Sequence, residues 1–330
     1  MMTLPPLQVH RPASVREAVE LLGSKPNARV LAGGTDIVPN LKYGMYETEH
    51  LVALRGLSSE LRYVRREGDS LRLGALCTID QLSKDPAVMQ DLPALADACG
   101  QIAGPQLRKM GTLGGNLCLD TRCVYINQSY FWRSALGFCL KKDGTACHVV
   151  AQGLRCVAAA SNDTAPVLLA LGASVRIVGP RGERVVPLAD FYLHDGIHNT
   201  VLEPDELLVE ATVPLPALPA ARLKQAFFKL RTRAAIDFPA LNLAVALAVS
   251  PAGLVTAARL CVSAIAARPA LINRLQDLIG QPADLHLAEE LGRRAQKQCK
   301  PLTNIGVDPA YRREILPVLV RRTVLRALAS

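Results

Sequence analysis

The sequence predicts an α+β fold, with mixed helices and strands up to a boundary near 214–221, then paired apolar strands followed by helices. Three observations predict it. The chain opens on a helix, a strand and a glycine turn; paired apolar strands around short turns recur through the middle; and the C-terminal end carries two stretches of helical apolar spacing. The 330 residues, about half of them apolar, suffice for two domains of ordinary size and for a core that needs no disulfide.

The elements follow in order. In "SVREAVELLG", Ser14 is a helix N-cap with Glu17 three residues on, the spacing of a capping box. Ala18, Leu21 and Leu22 form the apolar face, and Gly23 is expected to close the helix. "ARVLAGG" is a short buried strand ending in a sharp turn, and "LVAL" and "SLRLGAL" are further strands. "DQLSKDPAVMQDLPALADACGQIAG" is helical and broken near Pro86 and Pro93. "PVLLALGASVRIVG" and "GERVVPLADFYL" read as helix, strand, turn and strand, the turn lying at 179–182. Pro214, Pro216 and Pro219 mark a domain boundary near 214–221. Beyond it, "FPALNLAVALAVSPAGLVTAARLCVSAIAA" is long and apolar. The turn at 250–253 interrupts it, so it reads as two strands and not as a membrane helix. "DLHLAEELGRRAQKQ" and "REILPVLVRRTVLRALA" are helices with basic C-terminal ends.

The formal net charge is +9, with the basic residues scattered. Aromatic residues make up only 4%, too few for base-stacking platforms, so the charge suits an anionic cofactor better than a nucleic acid. The opening "MMTLPPLQVHRPAS" has neither a basic n-region nor an apolar h-region, which gives the expectation of a cytoplasmic chain with no membrane association. In a reduced compartment the nine cysteines are expected as buried thiols or metal ligands rather than disulfides.

Two glycine turns carry the functional signal. "LAGGTDIVPNLK" (31–42) follows a strand, and "GTLGGN" (111–116) adds hydroxyl and amide side chains. Neither is a P-loop or a GxGxxG fingerprint, and each alone is compatible with an ordinary tight turn. Successive backbone N–H groups in such turns attract anions, and two of them together can clamp a pyrophosphate.

Taken in order with "DTAPVLLALGA" (163–173) and "FKLRTRAAIDFPALNLAVAL" (228–247), the two loops resemble the FAD-binding subunits of the xanthine dehydrogenase family of molybdenum hydroxylases. The resemblance covers essentially the whole chain apart from one insertion. It implies that family's fold: two α/β subdomains binding FAD, at about 1–57 and 58–216, then a C-terminal flavoprotein domain at 217–330. It further implies that Ala32, Gly33, Gly34, Thr35 and Asp36 wrap the FAD pyrophosphate, and that Gly111, Thr112, Gly115 and Asn116 make the second phosphate and ribityl contact. Asp163 matches the aspartate that bonds cofactor hydroxyls, and Lys229 a basic residue near the isoalloxazine. Without the resemblance, Lys229 reads as a surface lysine.

In the family, the asparagine of "GGN" and this aspartate are near neighbours in sequence, whereas Asn116 and Asp163 are 47 positions apart. The added segment, about 119–158, carries Cys123, Cys139, Cys147 and Cys156 in a C-x15-C-x7-C-x8-C spacing with no CxxC pair. That spacing leaves metal ligation and four unrelated thiols equally open. The segment is too poor in apolar residues for a core of its own, so a metal would fold it: zinc as structure alone, or an iron–sulfur cluster as a second redox centre. Cys118 reads as structural, and His148 as a surface residue that is the other conceivable ligand. Cys77, Cys99, Cys261 and Cys299 are expected to be buried and inert. His194 and His198 have helical ligand spacing, but Gly196 lies between them and no glutamate accompanies them.

The insertion resembles the one in flavin subunits of the 4-hydroxybenzoyl-CoA reductase branch of the family, which carries a [4Fe–4S] cluster; by that resemblance the four insertion cysteines hold it. The resemblance implies an electron-transfer subunit with no catalytic residue of its own. Its partners would be a molybdopterin-binding large subunit and a small subunit with two [2Fe–2S] clusters, assembled as two heterotrimers, with reduced ferredoxin as donor. The alternative is the flavin subunit of a carbon monoxide, xanthine or aldehyde dehydrogenase type with a zinc-stabilised insertion.

Overall fold

The computed structural model describes residues 3–215 and 222–330. The expected boundary between 216 and 217 lies outside the described residues.

Three sheets organise the described residues. The first is parallel, in the order β1-β3-β2, from β1 (Gln8–His10), β2 (Arg29–Leu31) and β3 (His50–Ala53). Helix α1 (Val15–Ser24) packs Val15, Ala18, Val19 and Leu22 onto Val52, Leu54 and Leu57. The Ser14 hydroxyl accepts from the Glu17 N–H at 3.1 Å, and the Glu17 carboxylate reaches back to the Ala13 N–H at 2.7 Å. Gly23 lies inside α1, which runs on to Ser24 and is capped by Lys25; a glycine in a solvated last turn costs too little to stop a helix whose apolar face is buried. Helix α2 (Ile37–Lys42) leaves the turn after β2.

The second sheet is antiparallel, in the order β4-β5-β8-β6-β7. Its strands are β4 (Val64–Glu67), β5 (Ser70–Gly74), β6 (Ser174–Gly179), β7 (Gly182–Pro187) and β8 (Leu207–Pro214). Its core holds Leu71, Leu73, Val175, Ile177, Ala211 and Val213 under α3 (Pro93–Gln101), α4 (Leu113–Leu117) and α6 (Thr164–Ala170). "LADFYL" is not the end of a strand: β7 stops at Pro187 and Leu188–Phe191 forms one helical turn that buries Leu188 and Phe191 completely. The insertion leaves and rejoins this unit between α4 and α6. Its one regular element is the short helix α5 (Tyr130–Ala135), capped by the Ser129 hydroxyl.

The third sheet is also antiparallel, β12-β11-β10-β9, from β9 (Arg222–Leu230), β10 (Leu241–Val249), β11 (Val255–Ser263) and β12 (Ala270–Leu271). The expected turn at 250–253 is there, closed by Gly253 at φ +76°. Helices α7 (Leu285–Gln298) and α8 (Pro309–Ala329) cover one face through Leu287, Leu291, Leu316 and Val320. Among the described residues no helix is long and apolar enough to cross a membrane.

Candidate cofactor site and cysteine insertion

The first glycine loop follows β2. Gly34 takes φ +74°, which lets the chain reverse into α2. Among the described residues, the backbone N–H groups of Gly33, Gly34, Thr35 and Asp36 donate to no protein acceptor. Four successive free donors form a nest suited to an anion.

The second loop lies directly against the first. A Cβ on Gly33 would sit 1.9 Å from the Met110 carbonyl oxygen, and one on Gly111 would sit 3.5 Å from Thr35 Oγ1. The second loop spends most of its own donors internally. Gly111 donates to Leu107 O at 2.7 Å and Leu113 to Cys77 O at 2.9 Å, while the Thr112 hydroxyl caps α4 by accepting from the Gly115 N–H at 3.1 Å. Gly115 stays exposed. The arrangement therefore differs in emphasis from a symmetrical clamp: the second loop props the first, whose N–H groups remain available.

Asn116 carries the chain of contacts onward. Its side-chain oxygen accepts from the Thr164 N–H at 3.1 Å and from the Thr164 hydroxyl at 2.6 Å. Asp163, at the start of α6, accepts from Lys229 Nζ at 2.9 Å and from Asn242 Nδ2 at 2.8 Å. Lys229 also donates to Gln101 O at 3.4 Å. The Lys229 side chain is only 1% exposed, so it is a buried ion-pair partner and not a surface lysine. Burial pushes the Asp163 carboxyl above its ordinary value, against the opposing pull of Lys229 and Asn242. The network pins β9 and β10 to α6. Asn242, which the sequence reading did not single out, left a signal as the one polar residue in "LNLAVAL".

Arg122 was also not anticipated. Its guanidinium pairs with Asp36, the last residue of the first loop, and lies 4.7 Å from the centre of the Phe238 ring. Nothing local in the sequence announces a contact that spans 86 positions.

The insertion places its four cysteines around one cavity. Cys123, Cys139, Cys147 and Cys156 line it together with Tyr125 and His148. The His148 Nε2 lies 2.6 Å from the Phe138 carbonyl oxygen, so this histidine belongs to the insertion's own scaffold. Among the described residues no group of three or more His, Cys, Asp or Glu side chains stands close enough to share one metal ion, so the expected ready-made ligand group is not met. Burial pushes the Cys123 thiol up to about 11, with the neighbouring cysteines adding to the rise. Cys118 is exposed at the end of α4 and does not line the cavity. Cys77, Cys99, Cys261 and Cys299 are fully buried, as expected. His194 and His198 lie in an irregular, exposed segment with no helix to align them.

Comparison with known proteins places these features. The sequence profile of the FAD binding domain in molybdopterin dehydrogenase matches residues 5–216. The chain belongs to this family. The CO dehydrogenase flavoprotein C-terminal domain matches residues 226–327. Among curated relatives of this flavoprotein subunit, the putative xanthine dehydrogenase FAD-binding subunit XdhB of Escherichia coli is 27% identical over 97% of the chain and 96% of its own length. The carbon monoxide dehydrogenase medium chain of Afipia carboxidovorans is 30% identical over the same shares. The aldehyde oxidoreductase FAD-binding subunit PaoB of Escherichia coli is 31% identical over 78% of the chain and 81% of its own length. Carbon monoxide dehydrogenase from Hydrogenophaga pseudoflava superposes with a TM-score of 0.81 at 27% identity, covering 99% of both chains. The flavoprotein subunit thus has FAD as its cofactor and forms part of an oxidoreductase of the molybdenum hydroxylase family.

Proposed function

We propose that this chain is the electron-transfer subunit of a molybdenum enzyme, binding FAD at the paired glycine loops and a [4Fe–4S] cluster in its cysteine insertion. The observation that carries the reading is the convergence of Cys123, Cys139, Cys147 and Cys156 on one cavity. Four cysteine thiolates are a ligand set that a [4Fe–4S] cluster takes, and the insertion's resemblance favours that cluster over a purely structural zinc.

The chain's residues suit FAD. The free N–H groups of Gly33 to Asp36 would hold the diphosphate, with Ala32 and Thr35 beside them. Gly111, Thr112, Gly115 and Asn116 would fix that loop and meet the ribityl chain, and the Asp163–Lys229 pair would order the walls. FAD accepts and releases electrons one or two at a time, and the cluster passes them singly. The partners would be a molybdopterin-binding large subunit and a small subunit with two [2Fe–2S] clusters, two of each per assembly.

On the insertion's resemblance, the assembled enzyme would take electrons from reduced ferredoxin. It would convert 4-hydroxybenzoyl-CoA, two electrons and two protons into benzoyl-CoA and water. A second reading is favoured by the relatives, whose names are those of xanthine, carbon monoxide and aldehyde oxidoreductases: a dehydrogenase in which electrons leave through this chain. Metal analysis tests the cluster. Iron and acid-labile sulfide in equal amounts, lost together in Cys139→Ser while the chain still binds added FAD, are expected; zinc without iron would overturn it. Turnover of the purified complex with reduced ferredoxin and 4-hydroxybenzoyl-CoA, against oxidation of xanthine, carbon monoxide or an aldehyde, separates the two enzyme classes.

A further inference from the structure

We propose that Arg122 couples FAD occupancy to loading of the four-cysteine cavity, as a positioning residue shared by the two sites. The inference rests on the reading above, with FAD on the first glycine loop and an inorganic cluster in the insertion.

Arg122 stands where the two sites meet. Its backbone pairs on both sides with Ala159, at 2.8 and 2.7 Å, so it closes the neck of the insertion. The next residue, Cys123, lines the cavity, and the Cys123 N–H is fixed by Asn127 Oδ1 at 3.0 Å. The Arg122 side chain turns the other way, to Asp36. It is 13% exposed, and its Nε has no partner among the described residues.

Asp36 poses an electrostatic problem. Its carboxylate ends the loop whose free N–H groups await a diphosphate, so an uncompensated charge there repels the ligand. Arg122 neutralises it. Asn40 Nδ2, at 2.9 Å, is a neutral donor and cannot do so.

Arg122 stays in place only while the insertion is ordered. The insertion's apolar support is thin: Ile126 and Cys139 pack with Met45, beside Tyr43, Tyr46 and Cys123. Arg133 adds a tie to the Tyr43 carbonyl at 3.1 Å. A segment this poor in core depends on what its cysteines hold. Loading the cavity orders the neck, which holds Arg122 on Asp36 and opens the loop to FAD. By linkage FAD must favour loading by the same factor.

The test uses the full chain, purified with its cluster and after anaerobic removal of iron, and FAD affinity read by flavin fluorescence quenching. The iron-free protein is expected to bind FAD about tenfold more weakly, within the usual range of coupling between sites. Arg122→Met should weaken FAD binding in the loaded protein and erase most of the difference between the two forms. Adding Asp36→Asn to Arg122→Met should restore affinity, because no carboxylate then needs compensation. A packing defect would not be rescued by that change. Equal FAD affinity with and without iron, or an Arg122→Met chain that keeps the full difference, overturns the coupling while leaving both cofactors in place. A chain that takes up no iron overturns the cluster reading itself, and the coupling with it.

Discussion

Gly33 has no room for a side chain, because the Met110 carbonyl occupies the volume a Cβ would need. Gly33→Ala must push the two loops apart, an overpacking cost of about 1–3 kcal/mol. Purified Gly33→Ala is expected to carry at least about tenfold less flavin than the wild type, measured by absorbance after desalting, since tenfold corresponds to about 1.4 kcal/mol. Lys229 works through a different term. Lys229→Met leaves the Asp163 carboxylate buried with one neutral donor, and loss of one partner from such a pair costs about 3–5 kcal/mol. Urea denaturation should show that loss; a change below about 1 kcal/mol would mean that water replaces the lysine. The two residues differ in how far the sequence announces them. Glycine runs after a strand carry their own mechanism, whereas a lysine in an amphipathic strand looks the same whether it faces solvent or a buried aspartate. Arg122 and Asn242 went unnoticed because their partners lie far along the chain.

At the scale of elements, local chemistry was the dependable guide. The Ser14 cap, the Gly253 turn and the strands either side of it formed where their residues demanded. "LADFYL" departed from expectation because Leu188 and Phe191 are more useful buried against the second core than alternating along an edge. Within that sheet, Glu210 on β8 is held by Tyr63, Arg72 and Arg176. Burial acts to raise the Glu210 carboxyl, but the tyrosine and arginine contacts outweigh it and hold it below its ordinary value of 4.5. A depressed folded-state pKa contributes stability that is present above the unfolded value and lost as pH falls through the folded one. The stability gap between wild type and Glu210→Gln should therefore be widest near neutral pH and shrink as pH drops below about 4. Urea midpoints measured across that range check it, and a gap that grows on acidification would reverse the sign.

For the whole molecule, the sequence conveyed the family and the order of the parts, because the four motif segments are spread along almost the entire chain. What it could not convey is how the insertion sits on the framework. Its cysteine spacing fits no known short motif, and the contacts that seat it, from Tyr43, Met45 and Asp36, come from the first unit. The two most exposed large apolar side chains among the described residues, Phe131 at 81% and Leu154 at 93%, both lie on the insertion.

The paired backbone of Arg122 and Ala159 has a consequence for how this chain is built. Entry and exit of the insertion lie side by side, as the two stems of a hairpin do, so everything from Cys123 to Ala158 is a graft on an intact rootstock. Replacing it with a two-residue turn would leave the bridge at the graft union paired. The shortened chain is expected to fold, to contain no iron, and to bind FAD with the affinity of the loaded parent, because the closed turn holds Arg122 on Asp36. Failure to fold would show instead that the segment has become part of the trunk.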